Sequence, residues 1–167
     1  MRLKILTGLL LATIVAVSGC AASDENAESG SPAAGSAVSL KFVGEDLDGA
    51  SYDGAQLAGK PTVLWFWAPW CPTCRAQSGR VAAIAQEYAA EVNVVGVGGL
   101  ADATDIRDYA RQVDGPIHLI DEEGEIWRHL NVTAQSTYVI LDADGGVVSE
   151  GYLDDDALSA KVAELVG

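Results

Sequence analysis

Cys71 and Cys74 stand three residues apart in Trp70-Cys71-Pro72-Thr73-Cys74, the strongest chemical signal in the chain. On a helical turn that spacing lets two sulfurs approach closely enough to bridge, so the pair can cycle between dithiol and disulfide. A cysteine at a helix N-terminus gains thiolate character from unpaired backbone amides and the helix dipole, which makes Cys71 the expected nucleophile. Pro72 suits the first helical position because its missing N–H would go unpaired there. Cys74, one turn inside, is expected to be shielded and to resolve. Lys60, Arg75 and Arg80 are the only charged residues between Asp53 and Glu87, so the segment around the pair is cationic. The bland alternatives are an inert disulfide and a zinc half-site. Zinc takes four ligands, and the two histidines, His118 and His129, lie at no recognisable ligand spacing. Redox exchange with neither metal nor cofactor is the expected use. Cu(I) held by the two thiolates is a separate reading.

An apolar run, Thr62–Trp67, opens after Pro61 and reads as a strand buried on both faces; its Trp65, Phe66 and Trp67 are core candidates. Residues 72–90 carry Val81, Ile84, Ala85 and Tyr88 at helical spacing, so strand gives way to helix at the dithiol. Val92–Val97 predicts a second buried strand, and Thr104–Val113 a helix capped by Asp102 or Thr104. Ile117–Ile120 predicts a short strand, Glu125–Leu130 one or two helical turns, and Tyr138–Leu141 with Val147–Gly151 a hairpin. Asp154–Asp156 cap a last helix to Val166. Ser39–Val43 and Ala50–Tyr52 read as an N-terminal β-hairpin around Asp48-Gly49. His118 is expected at a strand end, and Asp121-Glu122-Glu123 as a solvated turn. The whole predicts an α/β fold with a mixed sheet flanked by helices.

Ahead of this domain, Arg2 and Lys4 precede a 13-residue apolar run from Ile5 to Val17. That is signal-peptide length and short for a bilayer span. Val17-Ser18-Gly19-Cys20 resembles the lipobox of bacterial lipoprotein precursors, which implies lipidation of Cys20 and removal of residues 1–19. Residues 20–37 are rich in Ser, Ala, Gly and acids and read as a tether of about 20–25 Å. Residues 38–167 form the predicted domain. With 24 Asp+Glu against 10 Lys+Arg, the chain is repelled by nucleic-acid phosphates and anionic lipid heads. Any link to a membrane is therefore expected to be covalent or hydrophobic.

Val63-Leu64-Trp65-Phe66-Trp67-Ala68-Pro69-Trp70 leading into the Cys71–Cys74 motif resembles the thioredoxin superfamily, within it the TlpA/DsbE-like branch of membrane-tethered oxidoreductases. The likeness extends to Val94-Val95-Gly96-Val97, Gly124-Glu125-Ile126-Trp127 and Asn131-Val132-Thr133. It implies a thioredoxin fold, Cys71 as attacking thiolate and Cys74 as resolving thiol. It also implies a substrate groove that includes Pro72, Thr73, Gln135 and Ser136, with Trp70 on its surface. Two positions depart from the pattern. The family's buried acid six residues before the first cysteine is here Trp65, and its cis-proline facing the dithiol is here Ser136. A cis bond before serine costs about 3–4 kcal/mol, so the expectation is a trans Gln135–Ser136 bond with altered loop geometry, or a strained cis bond.

These features predict a lipid-anchored oxidoreductase at the extracytoplasmic face of the bacterial membrane. Its expected partners are exported protein thiols or disulfides and a membrane redox-recycling partner, with no nucleic acid. Oxidation of exported proteins suits the compartment. A reductase in cytochrome c maturation, a copper-handling module and a redox-silent lipoprotein are the alternatives.

Overall fold

The structure is a computed structural model, and it describes residues 38–167. The signal, the Cys20 lipidation site and the tether lie outside the described residues. Seven strands form one mixed sheet: β1 (Val43–Asp46), β2 (Ser51–Asp53), β3 (Thr62–Trp67), β4 (Asn93–Gly98), β5 (Ile117–Ile120), β6 (Thr137–Leu141) and β7 (Val147–Gly151). Their order across the sheet is β2-β1-β5-β4-β3-β6-β7. The β3–β4 and β4–β5 pairs are parallel, and every other pair is antiparallel. Four helices, α1 (Pro72–Glu87), α2 (Ala103–Ala110), α3 (Glu125–His129) and α4 (Asp155–Val166), cover the two faces. Among the described residues no helix is long and apolar enough to cross a membrane.

Strand alternation decides which face each residue enters. Val63, Trp65 and Trp67 of β3 join α1, α2 and α4 through Val81, Ile84, Ile106, Leu158 and Val162. Leu64 and Phe66 point the other way, into a core with Phe42, Leu57, Ile126 and Trp127. Every residue of β3 is buried, as its apolar run predicts. The indoles fit because β4 presents glycine opposite them: Trp65 pairs with Gly96 and Trp67 with Gly98. A Cβ at Gly96 would come within 2.9 Å of Trp67 Nε1 and 2.8 Å of His118 Nδ1. One at Gly98 would reach 2.7 Å from Trp67 and 2.5 Å from Ile106.

Several boundaries differ from the sequence reading. The N-terminal hairpin exists, but β1 begins at Val43 rather than ending there. Residues 39–42 instead deliver Phe42 to the second core, where its carbonyl accepts the Gly54 N–H at 2.9 Å. The helix from the dithiol stops at Glu87, with Tyr88 as its cap. The helix capped by Asp102 ends at Ala110, and Val113 reaches the core through a tight turn closed by its N–H on the Ala110 carbonyl.

Two polar residues are more deeply placed than expected. His118 is buried within β5, its Nε2 2.9 Å from the Val113 carbonyl and its ring edge-on to Trp67. Burial pushes its pKa below the ordinary histidine value, against the pull of the Val113 bond. Asp121 is no part of a solvated turn: it is buried, and its carboxylate accepts the N–H groups of Glu125, Ile126 and Trp127 at 2.7, 3.2 and 2.9 Å. Those are the orphan donors of α3, whose N-cap, Gly124, has no side chain to serve them. Asp121 thus seats Trp127 in the second core, while Glu122 and Glu123 remain exposed.

Candidate active site

The parallel β3 ends at Trp67, Ala68-Pro69-Trp70 bends the chain, and α1 begins at Pro72. Cys71 is the N-cap of α1, and its sulfur accepts the Cys74 N–H at 3.2 Å. The sulfur thus takes the place of the oxygen that serine or aspartate supplies at most helix starts. Strand β6 runs antiparallel beside β3, with Thr137 opposite Phe66. The loop before β6 therefore lies at the end of β3 where α1 starts, which brings Ser136 to the dithiol across 65 residues.

Both cysteines are free thiols and buried, Cys71 3% and Cys74 0% exposed. Ser136 Oγ lies 3.2 Å from Cys71 Sγ and 3.2 Å from Cys74 Sγ. Burial pushes the Cys71 thiol up. Hydrogen bonds from the Cys74 and Ser136 side chains and from the Cys74 and Thr73 amides outweigh it, holding its pKa below the ordinary thiol value. Burial pushes the Cys74 thiol up, and the bond to Cys71 and the charge there add to the rise, against smaller opposing contributions from Ser136 and the Ala68 backbone. Environment thereby pushes the two thiols in opposite directions.

The cationic segment does not act as its sequence suggested. Arg75 donates from Nε and Nη2 to the Pro69 carbonyl at 3.0 and 2.7 Å, and its guanidinium lies 5.0 Å over the Tyr109 ring. Hydrogen bonds, rather than the arginine, hold the Cys71 thiolate.

Ser136 is fixed by a network invisible in the local sequence. No cis peptide bond occurs among the described residues, so Gln135–Ser136 is trans. Ser136 instead takes a left-handed φ of 65°. Its N–H donates to the Phe66 carbonyl at 2.9 Å, and its carbonyl accepts from Gln77 Nε2 at 3.2 Å. Gln77 Oε1 in turn accepts from Trp65 Nε1 at 3.0 Å. The indole at the family's acid position is thus the buried end of a bonded chain that reaches the sulfurs. Sequence reasoning missed Gln77; the available signal was a glutamine three residues after Cys74 and four before Val81, on the inward stripe of α1.

The remaining groove candidates flank the pair. Trp70 is 55% exposed, and its Nε1 donates to the Leu100 carbonyl at 2.9 Å, with Leu100 itself left-handed at φ 58°. Pro72 and Thr73 are exposed on the first turn of α1, and Gln135 is half-buried beside Ser136. On one side a cleft of about 300 Å³ is lined by Pro69, Trp70, Arg75 and Tyr109. On the other, about 430 Å³ opens between Thr73, Gln77, Tyr152 and Leu153.

The profile of the Redoxin family matches residues 32–165. Over 131 residues the chain is 37% identical to the soluble secreted antigen MPT53 of Mycobacterium tuberculosis, covering 75% of each chain. It is 32% identical over 110 residues to the thiol:disulfide interchange protein DsbE of Escherichia coli, covering 63% of this chain and 58% of that one. A solved structure of a secreted Mycobacterium tuberculosis disulfide oxidoreductase homologous to DsbE superposes with a TM-score of 0.69 at 36% identity, over 75% of this chain and 97% of that one. With a thioredoxin-like sheet and a low-pKa cysteine at the head of α1, the chain belongs to the Redoxin family, as a thiol–disulfide oxidoreductase of the DsbE-like branch.

Proposed function

We propose that the protein oxidises dithiols of exported proteins: a substrate thiol exchanges with the Cys71–Cys74 disulfide at Cys71 and displaces Cys74. The observation that carries the direction is the set of hydrogen bonds converging on Cys71 Sγ. They stabilise the thiolate, hence the reduced form, and a dithiol whose reduced form is stabilised is an oxidant. Equilibration of the Cys71–Cys74 pair with glutathione tests this. A potential near −120 mV is the expected class of result, and one near or below −270 mV would make the protein a reductant.

The same reading places the domain outside the cytoplasm on a lipid anchor at Cys20, supported by the apolar run Ile5–Val17 and the Ser18-Gly19-Cys20 ending. Exported protein thiols are then its substrates, and a membrane partner restores the disulfide. The full-length protein is expected to partition into the detergent phase on cloud-point separation, and Cys20→Ala to move it to the aqueous phase. Equal partitioning of both would remove the anchor from the proposal.

A further inference from the structure

Ser136 Oγ is equidistant, at 3.2 Å, from the two sulfurs that alternate as anion during exchange. A hydroxyl has one proton to donate and lone pairs to accept, and the proton turns to suit its neighbours. The backbone that carries this hydroxyl is held in place. Phe66 holds the Ser136 N–H, Gln77 holds its carbonyl, and Trp65 holds Gln77. With Oγ within reach of both sulfurs at once, turning the hydroxyl proton is enough to change partner.

We propose that Ser136 is a catalytic residue whose hydroxyl proton follows the negative charge between Cys74 and Cys71, bonding to each sulfur while that sulfur is the thiolate. The inference rests on the exchange reading and deepens it. In the oxidising direction a substrate thiolate attacks Cys71 Sγ. The Cys71–Cys74 bond breaks, a Cys71–substrate disulfide forms, and Cys74 leaves as a thiolate that receives the Ser136 hydrogen bond. Cys74 then takes a proton from water, and its S–H donates to Ser136 Oγ. The second substrate thiolate attacks the substrate sulfur joined to Cys71. The mixed disulfide breaks, the substrate disulfide forms, and Cys71 leaves as the thiolate to which the hydroxyl has turned. Two electrons pass from the substrate dithiol to the protein disulfide. Of the two protons the substrate sheds, one is matched by that taken up at Cys74 and the other stays in water. Ser136 ends with the proton it began with.

A relay serving both sulfurs differs measurably from a bond to one. Two titrations separate them. Ultraviolet thiolate absorbance of the reduced protein reports Cys71. The pH dependence of glutathione release from a preformed Cys71–glutathione disulfide reports Cys74 at the moment it attacks. Ser136→Gly suits the left-handed φ of 65° and removes the hydroxyl together with its Cβ, and Ser136→Ala removes the hydroxyl alone. Both inflections are expected to rise by about one pH unit, a tenfold loss of thiolate at fixed pH below them. The rate of glutathione release at neutral pH should fall less, about threefold, because a more basic thiolate is a better nucleophile. A shift in the Cys71 inflection alone, or in neither, overturns the relay while leaving the exchange reading intact. A wild-type mixed disulfide that never resolves overturns both.

Discussion

Cys71→Ser is expected to abolish thiol–disulfide exchange, reducing the rate by more than about a thousandfold to the uncatalysed background. Among the described residues the only other thiol is Cys74. Cys74 is fully buried, its thiol pushed up by burial, by the bond to Cys71 and by the charge beside it. Cys74→Ser should behave differently. Cys71 keeps the amides of Cys74 and Thr73 and the Ser136 hydroxyl, so it still attacks a substrate disulfide, but nothing resolves the product. Substrate is then expected to accumulate as a mixed disulfide, visible as a reducible adduct on gels. Because the Cys71 pKa lies below the ordinary thiol value, adduct formation should persist at a pH where a free thiol is mostly protonated. Adducts formed by Cys71→Ser and not by Cys74→Ser would reverse the assigned roles.

Ser136→Pro, which installs the residue the family pattern calls for, is expected to destabilise this protein by about 3 kcal/mol or more. Proline holds φ near −65°, whereas Ser136 stands at 65°. It also lacks the N–H that bonds the Phe66 carbonyl, and a moved carbonyl would leave the buried Gln77 amide without its acceptor. The urea midpoint should fall with an unchanged slope, and the exchange rate should change with it as the sulfurs lose the hydroxyl. A variant as stable as the wild type would show that the loop takes proline's geometry freely and that the left-handed serine is incidental. The test thus asks whether the serine loop is a structure of its own or a proline loop with one residue altered.

Much of the fold was readable because its signals are local. Thr62–Trp67, Ile117–Ile120 and Val147–Gly151 are strands at the predicted bounds, each delimited by proline, glycine or a charged turn. The dithiol was readable for the same reason, since four consecutive residues place both sulfurs on one turn. What escaped depends on partners distant in sequence. Asp121 looks like one acid of three until α3 folds back over it and offers three amides. Gln77 reads as an ordinary helix residue until a carbonyl 59 residues away and an indole 12 residues away saturate it. The resemblance marked Ser136 as a departure, but a missing proline says nothing of where a hydroxyl will lie. Its position between the sulfurs follows from a φ set jointly by β3 and α1. The cationic segment misled for a related reason: net charge along a chain carries no direction, and Arg75 points elsewhere.

The facing of Trp67 against Gly96 and Gly98 has a consequence for descent rather than energy. A larger residue arising first at either glycine collides with an indole that is already in place. A smaller residue arising first at Trp67 opens a void in the core. Neither order offers a harmless first step, so Trp67, Gly96 and Gly98 are expected to change together or not at all.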